Sequence, residues 1–188
     1  MQTEIIIAGF GGQGVLFAGQ LLTYAGMDAG KNVTWIPSYG PEMRGGTANC
    51  TVIIADEEIG STLVKNPSAA VVMNLPSLDK YEPMVTPGGV LIVNASLVDR
   101  QVKRRKLDWL MVPAVEIAES IGNKRLMNMV LLGALLQKLP ILPISTIEQT
   151  LDIHLPERHR RLLSSNKTAL RQGAAFARGE LQMVNAIS

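Results

Sequence analysis

The sequence has little with which to perform chemistry alone. Its 188 residues include one cysteine, Cys50, so it can form no internal disulfide and cannot supply the four thiolates that an iron–sulfur cluster takes. It also has no G-D-G segment followed by an asparagine that could hold Mg2+ and a diphosphate. Charged residues are 18% of the chain, aromatics 4%, and the formal net charge of +2 is too small to point to nucleic acid as a partner. Long hydrophobic runs are missing too. The greasiest stretch, residues 126–136, contains Asn128 and Gly133 and makes a helix of roughly 17 Å, well short of a ~30 Å hydrocarbon core. No basic leader or cleavage site precedes the first strand, so the expectation is a cytoplasmic protein that does not enter a membrane.

Apolar residues, by contrast, make up 47% of the chain and methionine contributes nine. A packed core is easily built, and a surface short of charge predicts buried subunit contacts, with methionine supplying adaptable packing. Short apolar runs at residues 4–8, 33–37, 69–75, 89–94 and 109–112 read as strands covered on both faces. Residues 15–29 have helical spacing and follow strand 1 directly, opening a βαβ unit whose second strand should lie parallel to the first. In "TANCTVIIADEEIGST", residues 47–62, Cys50, Val52 and Ile54 alternate and Asp56 to Glu58 can turn the chain, predicting a hairpin and a mixed sheet. From about residue 114 the pattern is helical, over 115–121, 126–139, 146–151 behind a capping Ser145, and 162–178. The expected fold is α/β, a Rossmann-like three-layer arrangement with a mostly parallel mixed sheet and a helical C-terminal tail, forming one domain over residues 1–188.

Two loops stand out. "IIIAGFGGQGVLFAGQLL", residues 5–22, runs strand to glycine loop to helix, with Gly9, Gly11 and Gly14 in G-x-G-x-x-G spacing. Such a loop lets backbone approach a phosphate at a helix N-terminus. A dinucleotide site also needs an acidic residue ending strand 2, and "VTWIPSYG" has none before Glu42. A nicotinamide or flavin site, a packing role for the glycines, and a different phosphate or interface all remain open, with Gly12 and Gln13 adding a flexible position and an amide nearest the ligand. The second loop, "PSYGPEMRGGTANC" over residues 37–50, emerges at the same carboxyl edge and presents Arg44, a fixed charge with a forked donor set, between stiffening prolines and flexible glycines. Its expected counterpart is a phosphate or carboxylate. The basic run Arg100, Lys103, Arg104, Arg105, Lys106 reads as a solvated loop.

"GFGGQGV" (9–15), "SYGPEMRGG" (38–46) and "GNKRLMNMVLLGAL" (122–135) together resemble the gamma subunit of 2-oxoacid:ferredoxin oxidoreductases, over most of the chain and less well after about Leu151. The resemblance implies a module that works in a hetero-complex, beside thiamine-binding and ferredoxin-like subunits that carry thiamine pyrophosphate, Mg and iron–sulfur clusters. It implies coenzyme A as co-substrate, ferredoxin as acceptor, and oxidative decarboxylation of a 2-oxoacid, with 2-oxoglutarate favoured. The residues expected to face the cofactor are Gly9, Gly11, Gly12, Gln13, Gly14, Ser38, Tyr39, Arg44, Gly45 and Gly46. No catalytic or metal-ligating residue is expected in this chain. The alternative is a stand-alone nucleotide-binding module or a purely architectural subunit. Because residues 126–136 are apolar on nearly every face, a subunit contact is expected to cover part of that helix, and Asn128 within it must find hydrogen-bond partners in a loop or a neighbouring chain.

Overall fold

The computed structural model describes residues 1–39 and 47–181, with Tyr39 described in its backbone alone. The sheet is built around β1 (Gln2–Phe10), whose Ile5, Ile6, Ile7 and Ala8 are all buried. A run that is apolar at both odd and even positions needs cover on both faces, which places it centrally. The same holds for β4 (Ala69–Val72) and β5 (Val90–Asn94), buried along their whole length. With β2 (Asn32–Tyr39), β3 (Thr47–Ala55) and β6 (Asp108–Val112) they form one sheet in the order β2-β3-β1-β4-β5-β6. β1, β4, β5 and β6 pair in parallel, and β3 is antiparallel to both of its neighbours.

Helices α1 (Val15–Asp28), α3 (Ala114–Ser120), α4 (Met127–Lys138), α5 (Ile144–His154) and α6 (Leu163–Ala177) pack on one face, against Ile5, Ile7, Val71 and Ile92. The other face is covered more thinly, by Leu78 and Tyr81 of α2 (Leu75–Tyr81) and by Val98 and Leu107, which meet Ile6, Ala8, Val72 and Leu91. The result is the expected α/β arrangement with a helical C-terminal part. Among the described residues no helix is long and apolar enough to cross a membrane.

The structure corrects several expectations. Residues 47–55 are one nine-residue strand and not the start of a hairpin within 47–62. β3 is paired along both edges, to β1 from Gln2↔Ala55 to Phe10↔Thr47 and to β2 from Asn32↔Ala55 to Tyr39↔Ala48. Reversal onto itself would leave those ladders open. β2 therefore runs parallel to β1 but is separated from it by β3. α5 starts at Ile144 with Pro143 in the cap position, so Ser145 lies inside the helix and caps nothing. The strand expected at 69–75 stops at Val72, and Asn74 begins a helix that periodicity did not show: its Oδ1 accepts the N–H of Ser77 at 2.9 Å, ahead of α2.

The all-apolar helix α4 needs no second subunit to cover it. Every residue from Met127 to Leu136 is buried within the chain, between the sheet, α3 and α6. The basic run is not simply solvated either. Glu82, 3% exposed, accepts the backbone N–H groups of Lys103 and Arg104 and the guanidinium of Arg100, which also reaches Asp79. Arg104 donates to the carbonyls of Glu82, Pro83 and Val85. A buried carboxylate must be paired, and it recruits that loop.

Candidate functional site

The chain leaves β1 for α1 on one face of the sheet and leaves β4, its neighbour, for α2 on the other. Between two strands whose following helices depart in opposite directions a crevice opens at the carboxyl edge, where open α/β sheets bind ligands. The glycine loop forms one lip of this crevice and the turn at Met73 and Asn74 forms the other. The amide oxygen of Gln13 spans it, accepting the N–H of Phe10 at 2.6 Å and the side-chain amide of Asn74 at 3.4 Å. One strand further along, fully buried Asn94 donates to the carbonyl of Met73 and accepts the N–H of Ser96. The edge is thus tied by amides, and no titratable side chain bonds to Gln13, Asn74 or Asn94 among the described residues. Such an edge can bind and orient, and its described side chains around Gln13, Asn74 and Asn94 offer no titratable proton.

Gly12 and Gly14 have φ of +93° and +78°, a conformation that side-chain-bearing residues rarely adopt. Gly12 is exposed and a Cβ added there meets nothing within 4 Å. Gly12→Val would therefore act through backbone strain as much as by blocking a ligand, which removes its value as a clean steric test. Gly14 is the N-cap of α1; no side chain caps this end and no acid lies in its first turn, so nothing in the helix itself offsets its partial positive charge. The carbonyl of Gly14 accepts the side-chain amide of Asn128 at 3.2 Å. The buried asparagine of α4 thereby finds the loop partner that its burial demands. Gly9 is held differently: a Cβ there would press on Gln13, Met73 and Val15.

The candidate residues divide by location. Gly9, Gly11, Gly12, Gln13 and Gly14 are together at the crevice. Gln13 faces inward with its oxygen already engaged, and is a brace for the loop more than a ligand donor. Ser38 is exposed near the end of β2, opposite Asn49 of β3. The pairs Phe10↔Thr47 and Tyr39↔Ala48 bring both ends of the 40–46 connection to the glycine loop's edge. The side chain of Tyr39, and Arg44, Gly45 and Gly46, lie outside the described residues. Asn74 and Asn94 went unnoticed in the sequence, although "VMNLP" and "LIVNAS" each place an asparagine directly after an apolar strand.

Cys50 lies fully buried beneath α1, where burial pushes its thiol up to about 12 despite the indole of Trp35. A thiol held protonated is neither nucleophile nor metal ligand. With no second cysteine, the residues of this chain do not fit an iron–sulfur cluster. Among the described residues no group of three His, Cys, Asp or Glu could hold a metal ion.

The bond from Asn128 to Gly14 gives a first prediction. Asn128→Ala removes a buried donor and frees the start of α1, at a cost of about 1–2 kcal/mol. The expected outcome is a Tm lower by a few degrees together with faster hydrogen exchange at the amide of Ala18, which donates to the same Gly14 carbonyl at 3.0 Å. Unchanged exchange at that amide would mean that the loop holds itself.

Known proteins share this arrangement. Residues 4–176 match the model of the pyruvate ferredoxin/flavodoxin oxidoreductase family. The ketoisovalerate oxidoreductase subunit VorA of Methanothermobacter marburgensis is 41% identical over 135 residues, 72% of this chain but 28% of that one. The chain therefore spans little more than a quarter of that relative's length. The 2-oxoglutarate synthase subunit KorC of the same organism is 36% identical over 163 residues, covering 83% of this chain and 88% of that one. The solved gamma subunit of a keto/oxoacid ferredoxin oxidoreductase from Geobacter sulfurreducens PCA is 27% identical, with a TM-score of 0.80 over 94% of this chain and 99% of that one. The match over residues 4–176 and the shared α/β fold place the chain among these proteins: it belongs to the pyruvate ferredoxin/flavodoxin oxidoreductase family, with the fold of a gamma subunit.

Proposed function

We propose that this chain is the gamma-type subunit of a cytoplasmic 2-oxoacid:ferredoxin oxidoreductase complex, a single-domain subunit whose carboxyl edge helps to hold coenzyme A. The complex converts a 2-oxoacid, coenzyme A and oxidised ferredoxin to an acyl-CoA, CO2 and reduced ferredoxin. Thiamine pyrophosphate, Mg and the iron–sulfur clusters reside in the other subunits and carry the bond-breaking and electron transfer. The carrying observation is the uncapped N-terminus of α1 behind Gly12 and Gly14 at the switch-point crevice, an anion-binding geometry with no proton-transfer group tied to it among the described residues. The glycines admit close approach of a phosphate, and Arg44, outside the described residues, is the side chain to which this reading assigns a second contact with it. 2-Oxoglutarate is the favoured acid, supported by the near full-length likeness to a 2-oxoglutarate synthase subunit.

One observation favours the purely architectural alternative: Gln13 spends its oxygen inside the loop. The experiment separates the two readings. The subunit is co-expressed with its genomic neighbours, and coenzyme A-dependent viologen reduction is measured over a panel of 2-oxoacids. Arg44→Lys keeps the charge and loses the fork, and is expected to raise the KM for coenzyme A about tenfold, roughly one lost charge-assisted hydrogen bond. An unchanged KM in an active, assembled variant returns the loop to architecture. A monomer that binds NAD(H) tightly and ignores its neighbours overturns the assignment.

A further inference from the structure

A groove runs along the helical face of the chain, beside the glycine loop. Its larger hollow, of about 470 Å3, has Phe17, Leu155 and Leu162 in its floor and Arg125, His159 and Arg161 on its rim. Phe17 and Leu155 also line a second hollow of about 210 Å3, so the trough continues between α1 and α5. None of the described residues lining either hollow is acidic.

The charges around it are arranged unlike those nearby. Arg160 pairs with Glu157, Lys167 with Asp152 and Arg171 with Glu148. Lys124, Arg125, Arg158 and Arg161 form no ion pair among the described residues, and all four are exposed. They lie on two 3-10 turns, Lys124–Leu126 and Glu157–Leu162, and the second of these buries none of its residues. A cationic cluster left unpaired beside an apolar trough creates a local field that an acidic partner would neutralise.

We propose that this groove docks an acidic segment of another subunit of the complex. An extended stretch seats an apolar side chain over Phe17 and Leu155 and turns two or more carboxylates toward Arg125 and Arg161, whose forked guanidinium groups suit carboxylates. The proposal rests on the reading that the chain works in a hetero-complex. A polypeptide fits better than a small anion: exposed arginines hold an isolated charge weakly in water, whereas an apolar trough shared by two hollows contributes burial along a length of chain. The VorA relative, in which the matching stretch is 28% of a much longer chain, shows a module of this kind joined to a large body of other polypeptide. The position also has a consequence. Asn128 lines the same groove and holds the carbonyl of Gly14, so a docked segment braces the glycine loop from behind.

The test uses the complex co-expressed with the neighbouring subunits. Arg125→Glu/Arg161→Glu is expected to weaken association at least about tenfold and to flatten its dependence on salt, while the free subunit keeps its Tm within about 2 °C, as surface substitutions do. Should the double reversal fail to fold, Arg125→Gln/Arg161→Gln is expected to move affinity and salt slope in the same direction by a smaller factor. Affinity within twofold of wild type with an unchanged salt slope overturns the proposal. It is also overturned if assembly is retained while binding of inorganic phosphate is lost, which makes the groove a small-anion site, or if the variant loses only a homodimer, which makes the occupant a second copy. If the wild-type complex assembles and turns over a 2-oxoacid while the double variant docks normally, the docking site alone fails. If the wild-type subunit ignores its neighbours, the function proposed above fails and this inference with it.

Discussion

Gly173→Ala is expected to destabilise the chain by about 3 kcal/mol or more, and so to lower its Tm by ~10 °C, at 2–4 °C per kcal/mol for a chain of this size. Helix propensity alone gives the opposite sign, since alanine is favoured over glycine inside a helix by about 1 kcal/mol. The contact between α4 and α6 decides. A Cβ at Gly173 would run into the carbonyl oxygen of Val130, and one at Gly133 into that of Leu170. These are backbone atoms within helices, which cannot rotate aside as a side chain can. The two helices must then move apart, and the buried Ala169, Leu170 and Ala174 of α6 lose their packing. Gly60→Ala is the control, because a Cβ there meets nothing within 4 Å. Thermal unfolding of both variants provides the check, and a Gly173→Ala protein as stable as wild type would mean that the helices cross at a greater distance.

The second large effect is expected at Glu82. Glu82→Ala leaves the N–H groups of Lys103 and Arg104 without their acceptor and Arg100 with Asp79 as its one remaining ion-pair partner among the described residues, which should cost about 3 kcal/mol. Burial pushes the Glu82 carboxyl up, but the hydrogen bonds from the Arg104 N–H, the Arg100 guanidinium and the Lys103 N–H outweigh it, and the group is held below its ordinary value. A carboxyl lowered on folding contributes stability that is present above its unfolded pKa, ~4.3 for glutamate, and that is lost as pH falls through the lower folded value. Wild type should therefore lose stability on acidification below about pH 4.3, and Glu82→Gln should lose less over the same interval. Denaturation at pH 7 and pH 3.5 measures this directly. Parallel pH profiles for wild type and Glu82→Gln would show that the carboxylate charge does not hold the loop.

Much of the candidate site was legible as local pattern. A strand that is apolar at every position, glycines at fixed offsets and a helix beginning at once constrain one another within some twenty-five residues, and the structure puts β1, the loop and α1 where that pattern requires. Asn128 was legible by a different logic: an amide inside an apolar helix must find a partner, and the partner proved to be Gly14. Asn74 and Asn94 were not recognised. Each follows an ordinary strand, and only the opposite departures of α1 and α2 show that a crevice lies between β1 and β4.

What the sequence determined by itself is therefore what short range controls: most of the element types, with α2 the exception, the glycine loop between β1 and α1, the need to bury the apolar residues of α4, and the absence of a cysteine set that could hold a cluster. What only the tertiary structure decided is pairing between segments far apart in the chain. Whether β3 folds back on itself or inserts between β1 and β2 depends on which ladder it completes, and its alternation is the same in both cases. Whether the apolar surface of α4 meets a second subunit or its own C-terminal helix depends on Gly133 and Gly173 standing opposite α6 and α4 backbone. Whether the Arg100 guanidinium and the Arg104 backbone are solvated or pinned depends on one buried carboxylate some twenty residues away. In each case the local pattern specifies a face or a charge that must be satisfied, and the partner that satisfies it is chosen by the three-dimensional packing of the whole chain.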